Sequence, residues 1–250
     1  MHNREREQQI LNILKSANGF VSTKQLCNML FASESSIRRD LNELEKRNLV
    51  KRSYGGVLPA TTFSNIVTFN QRTKQNVDAK REIAKKASLM IKEGQIIFLD
   101  QSSTAFYLAD ELVNRRGVTV VTNNIEIMML LSNSNNKVIS SGGFLSSENR
   151  NCLIGGDAVN TFENIYADFA FISIKGIDTN GIITDCSREE IIVRNSMLNN
   201  AQKKVLLCDS TKFDRKASYI QCNLKNIHYL ISEGNTAQKF ASLNLKTKLL

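Results

Sequence analysis

Apolar residues recur at helical spacing near the start of the chain and predict the first helices. Aliphatic residues between Ile10 and Leu14 share one face of a helix over about residues 4–17. A second helix begins after Ser22, where Gln25, three residues on, completes a capping box.

A third helix follows a short break at Phe31-Ala32 and is capped by Ser33. It runs to about Arg47, and the basic stretch over residues 49–58 then predicts a small hairpin. Two short helices with a tight break, followed by a basic hairpin, are typical of a winged helix-turn-helix.

From Ala79 onward the pattern changes to apolar strands that alternate with helices. This alternation indicates a mainly parallel sheet covered on both faces. The predicted strands are 95–100, 118–122, 137–140, 168–174, 204–209 and 227–232. The predicted helices are 79–92, 103–114, 124–132 and 188–202.

We therefore predict an α/β chain in which a winged helix-turn-helix is joined to a larger, Rossmann-like, mainly parallel α/β domain. The predicted boundaries are 1–58 for the first domain, 59–78 for a linker with a strand near Ile66–Phe69, and 79–250 for the second domain.

Composition narrows the class of protein. No apolar run approaches the ~18 residues of a membrane span, and the polar N-terminus lacks the features of a secretory signal. The five cysteines form no C-x-x-C pair, which indicates free thiols in a reducing, cytoplasmic compartment without a zinc site. We predict no metal and no cofactor.

Positive charge is concentrated at the N-terminus. Residues 1–57 carry a net charge of +4, whereas the remaining, much longer part of the chain carries +5. A lysine-rich, solvent-exposed surface would have the same net charge. A segment with a high density of positive charge is also typical of proteins that bind a polyanion.

The third helix has one apolar and one polar face. Ile37, Leu41 and Leu44 form the apolar stripe, and hydroxyl, amide and cationic side chains lie opposite. Arginine can make two hydrogen bonds to guanine, and asparagine can make two to adenine, so this face suits base readout in the major groove. The Lys and Arg residues of the hairpin suit contacts with phosphates. Asp40 borders the apolar stripe and is predicted to orient a nearby arginine. The predicted DNA-binding residues are Ser22, Thr23, Ser33, Ser35, Ser36, Arg38, Arg39, Asn42, Lys46, Lys51, Arg52 and Tyr54. The alternatives are a merely solvated helix face and a protein-binding helical module.

Polar side chains follow several predicted strands of the second domain, where open parallel sheets bind ligands. The turn Asp100–Thr104 joins a strand to a helix and offers free N–H groups and hydroxyls to an anion. Each such turn is individually an ordinary helix cap, but their convergence predicts a sugar-phosphate pocket. The predicted effector-binding residues of this pattern are Asp100, Ser102, Ser103, Thr104, Thr122, Asn123, Gly142, Gly143, Asp178 and Lys212.

The motifs of both domains resemble those of the DeoR family of bacterial sugar-operon repressors. The N-terminal match is carried by Ser33-x-x-Ser36-Ile37-Arg38-Arg39-Asp40-Leu41 and Leu49-Val50-x-Arg52-x-x-Gly55-Gly56. The C-terminal match includes Asp100-x-x-x-Thr104, Gly142-Gly143, Gly176-Ile177-Asp178, Glu189 and Asp209-x-x-Lys212-Phe213. The resemblance implies an effector domain like ribose-5-phosphate isomerase, adds Glu189 to the effector-binding residues, and implies a response to phosphorylated sugars. Ser102 and Ser173 stand where the family usually has glycine.

Two rival functions remain for the second domain. A sugar-phosphate isomerase needs a general base and a cation on the enediol oxygens, and Asp178, Glu189 and Glu190 could supply acids. Isomerases of this resemblance keep a lysine before their acidic motif, whereas residues 179–187 contain neither Lys nor Arg. The other rival, an architectural DNA binder, would not need a ligand-type domain.

We therefore predict a cytoplasmic transcriptional regulator, most simply a repressor, that is not an enzyme. Its predicted partners are a double-stranded DNA operator, a phosphorylated sugar, and a second copy of itself in a dimer or tetramer, because one short helix reads too few base pairs.

Overall fold

The structure is a computed structural model that describes residues 3–17, 21–47, 49–53, 55–59, 69–243 and 245–250. The chain divides into two compact units, Met1–Val67 and Thr68–Leu250. Most of the predicted strand near Ile66–Phe69 lies outside the described residues. Phe69 itself begins a helix, so the predicted linker contains helical structure at its C-terminal end.

The first unit is a winged helix-turn-helix, as predicted. Its helices are α1 (Asn3–Ala17), α2 (Thr23–Leu30) and α3 (Glu34–Lys46). Its strands are β1 (Val21–Ser22), β2 (Val50–Ser53) and β3 (Gly56–Pro59). They form an antiparallel sheet in the order β1-β3-β2, in which the predicted hairpin is β2–β3.

Local sequence accounts for the ends of these helices. The Ser22 side chain accepts the Gln25 N–H while the Gln25 side chain accepts the Ser22 N–H, which is the predicted capping box. Ser33 caps α3 by accepting the Ser36 N–H. The helices and sheet enclose one buried apolar cluster, made of Ile10, Leu14, Val21, Leu26, Ile37, Leu41, Leu44, Val50 and Val57.

Phe31, in the turn between α2 and α3, has an unfavourable backbone conformation. Its φ is +48°, in the left-handed region, and its side chain is 97% exposed. An aromatic residue has no packing there to offset the left-handed conformation, which costs ~1–2 kcal/mol for a residue with a Cβ.

Replacing Phe31 by glycine is therefore expected to raise the free energy of unfolding by ~0.5–1 kcal/mol. Phe31→Ala is the matched control, because it removes the ring but keeps the Cβ. Urea unfolding should show a gain for Phe31→Gly and none for Phe31→Ala. An equal gain in both variants would mean that the ring, and not the backbone, is unfavourable.

The second unit is built on a seven-stranded parallel sheet, which confirms the predicted fold class. The strand order is β15-β14-β12-β9-β4-β5-β6, and all pairs in it are parallel. These strands are β4 (Ile96–Leu99), β5 (Arg116–Thr122), β6 (Asn135–Ser140), β9 (Ala167–Ile172), β12 (Ala201–Leu207), β14 (Tyr229–Ile231) and β15 (Lys248–Leu249).

Helices cover both faces of this sheet. Alternate strand residues point to opposite faces, so Ile97 and Phe98 enter two different buried clusters. One cluster includes residues of α5, α6 and α7, and the other includes residues of α8 and α9. The helices of the unit are α4 (Phe69–Thr73), α5 (Val77–Ser88), α6 (Ser103–Asp110), α7 (Ile125–Leu131), α8 (Gly156–Glu163) and α9 (Arg188–Asn199).

Several short elements were not predicted from the sequence. They are a two-stranded pair, β7 (Phe144–Leu145) with β8 (Leu153–Ile154), helix α8, and a three-stranded antiparallel sheet of β10 (Gly176–Ile177), β11 (Ile182–Asp185) and β13 (Tyr219–Asn223). Most are too short to show a period. Over the described residues, none of the helices is long and apolar enough to cross a membrane.

Candidate functional site

Helix α3 presents the polar face that its sequence predicts. Ile37, Leu41 and Leu44 are buried, whereas Ser35, Arg38, Arg39, Asn42 and Lys46 are exposed. Because α3 is the second helix of the helix-turn-helix, this is the face that a major groove would receive.

The cationic side chains of this face differ in whether they form ion pairs within the protein. Arg38 pairs with Glu34 at 2.6 Å and Lys46 with Glu43 at 2.8 Å, and all four side chains are largely exposed. Such exposed pairs contribute little and exchange readily for phosphates. Arg39, by contrast, makes no hydrogen bond or ion pair within the described part of the chain. Arg39 is therefore the cation of α3 most available to a base edge.

The serines at the two helix starts have structural roles in the free protein. Ser22 is held in the capping box, and Ser33 Oγ lies 3.0 Å from Ser35 Oγ and 2.9 Å from Ser36 Oγ. Thr23 begins α2, where its backbone N–H donates to the Gly55 carbonyl of the wing. Ser22 and Ser33 therefore serve as helix caps in the free protein, and their hydroxyls keep lone pairs that a phosphate contact could use.

The wing is tied to α3 by Arg52. Its backbone N–H donates to Glu45 at 2.8 Å, and its guanidinium donates to the Asn42 side chain. Arg52 and Asn42 therefore present one joined polar surface. Tyr54 and the side chain of Lys51 lie outside the described residues.

Two long-range ion pairs fix the orientation of α3. Asp40, fully buried, accepts from Arg6 Nε at 2.5 Å and Nη2 at 3.1 Å, which confirms its predicted role as the partner of an arginine. Arg47 donates to Glu7 at 2.7 Å. Sequence reasoning did not identify Arg6 or Glu7, because contacts across 34 and 40 residues leave no local signal.

The parallel sheet brings many of the predicted effector-binding residues to one edge. Asp100 follows β4, Asn123 follows β5 and Asp209 lies just beyond β12, so all lie beyond the carboxyl ends of neighbouring parallel strands. Ser173, which follows β9, lies between the ends of β4 and β12. This edge is where open α/β sheets bind ligands.

Asp100 organises the turn that leads into α6. Its carboxylate accepts the N–H of Ser102 at 3.0 Å and the N–H of Ser173 at 2.9 Å. Burial raises the pKa of the Asp100 carboxyl, while Arg194 and these N–H groups oppose the shift. Ser102 caps α6 by accepting the Ala105 N–H, so its side chain is already used.

Lys212 places a positive charge at this edge. Its Nζ donates to Ser173 Oγ at 2.8 Å and lies 3.4 Å from Asp209 Oδ2. Burial would raise the pKa of Asp209, but Lys212 and Thr211 hold it below its ordinary value. Ser173 therefore adds a fixed hydroxyl that positions Lys212.

Several buried polar atoms beside these turns are unsatisfied. Within the described residues, Thr104 Oγ1, Asn123 Oδ1 and Asn124 Nδ2 are buried and have no hydrogen-bond partner. Buried polar groups in native proteins are nearly always paired, because an unpaired one costs ~1–3 kcal/mol. These atoms are thus donors and acceptors available to a polar ligand. The Thr122 hydroxyl, in contrast, bonds the Leu99 carbonyl at 2.7 Å.

Arg194 lies buried among three carboxylates, and sequence reasoning did not identify it. Its guanidinium is 2.9 Å from Asp185, 3.3 Å from Glu190 and 3.5 Å from Asp100. Burial alone would lower the pKa of Arg194, but the three carboxylates raise it. Glu190 also accepts from Gln101 and Asn149, which links α9 to the Asp100 turn.

The predicted glycine turn has a structural reason. Gly142 and Gly143 have φ of +67° and +93°, and a Cβ on Gly143 would lie 2.2 Å from the Ile154 carbonyl oxygen. Glycine is therefore required for the close approach of this turn to β8. Ligand contact is not needed to explain it.

Asp178 and Glu189 do not follow strands of the parallel sheet. Asp178 lies between β10 and β11, where it accepts the N–H groups of Asn180 and Ile182 and pairs with Lys216 at 3.2 Å. Burial would raise its pKa, but the Ile182 N–H and Lys216 lower it below the ordinary value. Glu189 is exposed on the first turn of α9, and the buried carboxylate of that turn is Glu190.

Comparison with known proteins covers both units. The family described as "DeoR-like helix-turn-helix domain" matches residues 6–63, and the "DeoR C terminal sensor domain" family matches residues 75–234. The predicted family resemblance is thereby confirmed.

Curated relatives match over nearly the whole chain. The HTH-type transcriptional regulator GolR of Listeria innocua is 33% identical over 250 residues, which is 98% of this chain and 98% of GolR. The glycerol-3-phosphate regulon repressor of Escherichia coli is 30% identical over 87% of this chain and 85% of its own length. Ribose 5-phosphate isomerase A of Methanocaldococcus jannaschii is a structural neighbour, with 21% identity, a TM-score of 0.42, and coverage of 56% of this chain and 55% of that chain.

Proposed function

Because the chain belongs to the DeoR family of transcriptional regulators, we propose that it represses a carbohydrate-utilisation operon under the control of a phosphorylated sugar. In this proposal α3 reads the major groove of the operator, and the sugar phosphate binds at the carboxyl edge of the parallel sheet. The similarity to a glycerol-3-phosphate regulon repressor supports a phosphorylated effector of this class.

The proposed sugar-phosphate site rests on one observation: buried polar atoms at the carboxyl edge of the parallel sheet lack hydrogen-bond partners among the described residues. Among the described residues, buried Thr104 and Asn123 have atoms without partners, and Lys212 adds a positive charge at Ser173, whose N–H bonds the Asp100 carboxylate before α6. Hydroxyl, amide and ammonium groups around a helix N-terminus suit a ligand with both hydroxyls and a phosphate. The sugar phosphate would then shift the population between DNA-competent and incompetent arrangements, by no more than its differential affinity for the two.

The arrangement of charges favours binding over turnover. A general base must reach the proton that it removes. Asp100 is fully buried, and Asp185 and Glu190 are held by Arg194. We accordingly propose a sensor that is not an enzyme, that acts in the cytoplasm, and that assembles as a two-fold oligomer to read a palindromic operator.

Operator binding in the presence of sugar phosphates tests this function. A duplex covering the native promoter should bind the full chain, and one compound of a panel of glucose 6-phosphate, fructose 6-phosphate and glycerol 3-phosphate should both raise the melting temperature and change the operator affinity. Retention of the operator duplex with no response to any sugar phosphate would favour the architectural DNA binder. Interconversion of an aldose and a ketose phosphate would favour the isomerase.

Replacing Lys212 by alanine is expected to weaken sugar-phosphate binding by ~10–100-fold, since a charge-assisted hydrogen bond contributes ~1.5–3 kcal/mol. Isothermal titration of the compound that shifts the melting temperature measures this change. Lys225→Ala is the control, because Lys225 is exposed on the turn Leu224–Asn226. Equal affinities of the Lys212→Ala variant and the unmodified chain would remove Lys212 from the site.

A further inference from the structure

The turn between α4 and α5 is hydrogen-bonded to the turn that carries Lys212. Asn76 Nδ2 donates to Asp209 Oδ1 at 3.2 Å and to Thr211 Oγ1 at 3.1 Å. Asp209 is in turn the ion-pair partner of Lys212. One amide group therefore connects the start of the second unit to the cation of the proposed effector site.

Asn76 does not act as an ordinary N-cap. It is the N-cap residue of α5, yet its side chain makes no capping hydrogen bond. Its φ is +50°, in the left-handed region that residues with a Cβ rarely adopt. An asparagine at an N-cap would normally accept an N–H of the first turn. The bonds to Asp209 and Thr211 take the place of that cap.

The buried side chain of Lys80 also stabilises the α4–α5 turn. Lys80 is buried, and its ammonium donates to the carbonyls of Arg72 and Gln75, which close the α4–α5 turn. Burial and the positive charge of Lys212 lower the pKa of Lys80 to about 8. The buried ammonium of Lys80 therefore holds the α4–α5 turn in place.

Helix α4 also packs against α6, which provides the other part of the proposed site. The ring of Phe69 contacts that of Phe106 edge to face at 5.7 Å, and the Tyr107 hydroxyl donates to the Thr73 carbonyl at 2.8 Å. Both partners belong to α6, whose N-terminus is the Ser102–Thr104 turn. Helix α4 and the turn after it thus contact, between them, both elements to which we assign the phosphate.

We infer that Asn76 is a positioning residue that couples occupancy of the effector site to the start of the second unit, from which the chain leads to the DNA-binding unit. The inference rests on the proposed function. When a phosphate engages Lys212, the Lys212–Asp209 pair loosens, Asp209 and Thr211 rearrange, and Asn76 moves with them. Because α4 begins two residues after the first unit ends at Val67, this movement acts at the point where the two units join in sequence.

A matched pair of variants separates the hydrogen bonds of Asn76 from its backbone conformation. Asn76→Gly removes the side chain and accepts the positive φ, whereas Asn76→Ala removes the side chain and leaves the strain. In the full chain we measure the ratio of operator affinities with and without the most stabilising compound among glucose 6-phosphate, fructose 6-phosphate and glycerol 3-phosphate. A ratio of ~5–150 is typical of allosteric coupling. Both variants should bind operator and compound but bring this ratio close to one.

Retention of the unmodified chain's ratio by Asn76→Gly would overturn the inference, because the side chain would then carry no coupling. A loss confined to Asn76→Ala would overturn it as well, since only backbone strain would matter. Absence of any response in the unmodified chain would instead count against the proposed function.

Amide hydrogen exchange of the full chain decides the inference without ligand or DNA. The N–H groups of Lys212 and Phe213 bond carbonyls within their own turn. If Asn76 holds that turn, both variants should exchange these amides at least about fivefold faster than the unmodified chain. Unchanged exchange at residues 209–213 would show that the turn does not depend on Asn76.

Discussion

Replacing Arg194 by methionine is expected to lower the free energy of unfolding by ~3–5 kcal/mol, the cost of removing one partner from a buried ion pair. Methionine keeps much of the volume and removes the charge. Asp100, Asp185 and Glu190 would then remain buried beside one another without a cation. Urea unfolding of the full chain measures the loss.

The pH dependence of this variant follows from the same contacts. Arg194 opposes the rise that burial causes in the pKa of Asp100, so its removal raises that pKa further and the folded variant binds a proton there more readily than the unfolded chain does. The stability deficit should therefore be largest at neutral pH and shrink as the pH falls through the raised pKa of Asp100. The control is Arg188→Met on the same helix, which replaces an exposed arginine and should change stability by no more than ~0.5 kcal/mol. A similarly small change in Arg194→Met would mean that the buried ion pairs of Arg194 do not stabilise the fold.

Arg39→Ala is expected to weaken operator binding by ~1–3 kcal/mol, which is ~5–150-fold, and to relax specificity. Arg39 is exposed on the face opposite the buried stripe of α3, and it has no intramolecular partner among the described residues to release. Fluorescence anisotropy with the native operator and with a shuffled duplex measures both effects.

The control for Arg39→Ala is Arg81→Ala, which removes the same charge from an exposed position on α5. Loss of a general positive charge would weaken both duplexes in both variants. Loss of base readout would weaken only the native operator, and only in Arg39→Ala. Unchanged operator affinity in Arg39→Ala would exclude α3 as the helix that reads bases.

The fold could be predicted well where the sequence has a clear period or a cap. The capping box at Ser22 and the apolar stripe through Ile37 are local, because each depends on residues within one or two turns. The strand from Ile96 to Leu99 was readable because buried parallel strands are continuously apolar. The β10–β11–β13 sheet was not, since strands of two to five residues show no usable alternation.

For the candidate effector site, the sequence could indicate only the residues that follow strands. Asp100 and Lys212 could be predicted to lie at one edge of the sheet, because the carboxyl ends of parallel strands share that edge. Arg194 was missed because a buried arginine in the middle of a helix looks like any surface arginine until its partners are in place. Asn76 was missed for a related reason, since its partners lie 133 and 135 residues away.

The two units have separate apolar cores, and this has a consequence for how the chain is made. Among the described residues, the cluster around Leu26 runs from Ile10 to Val57, and the clusters of the sheet begin at Ile83. At ~5–20 residues per second, a ribosome needs on the order of ten seconds or more to finish the rest. The nascent polypeptide can thus fold its nucleic-acid-reading end well before its metabolite-responsive end exists.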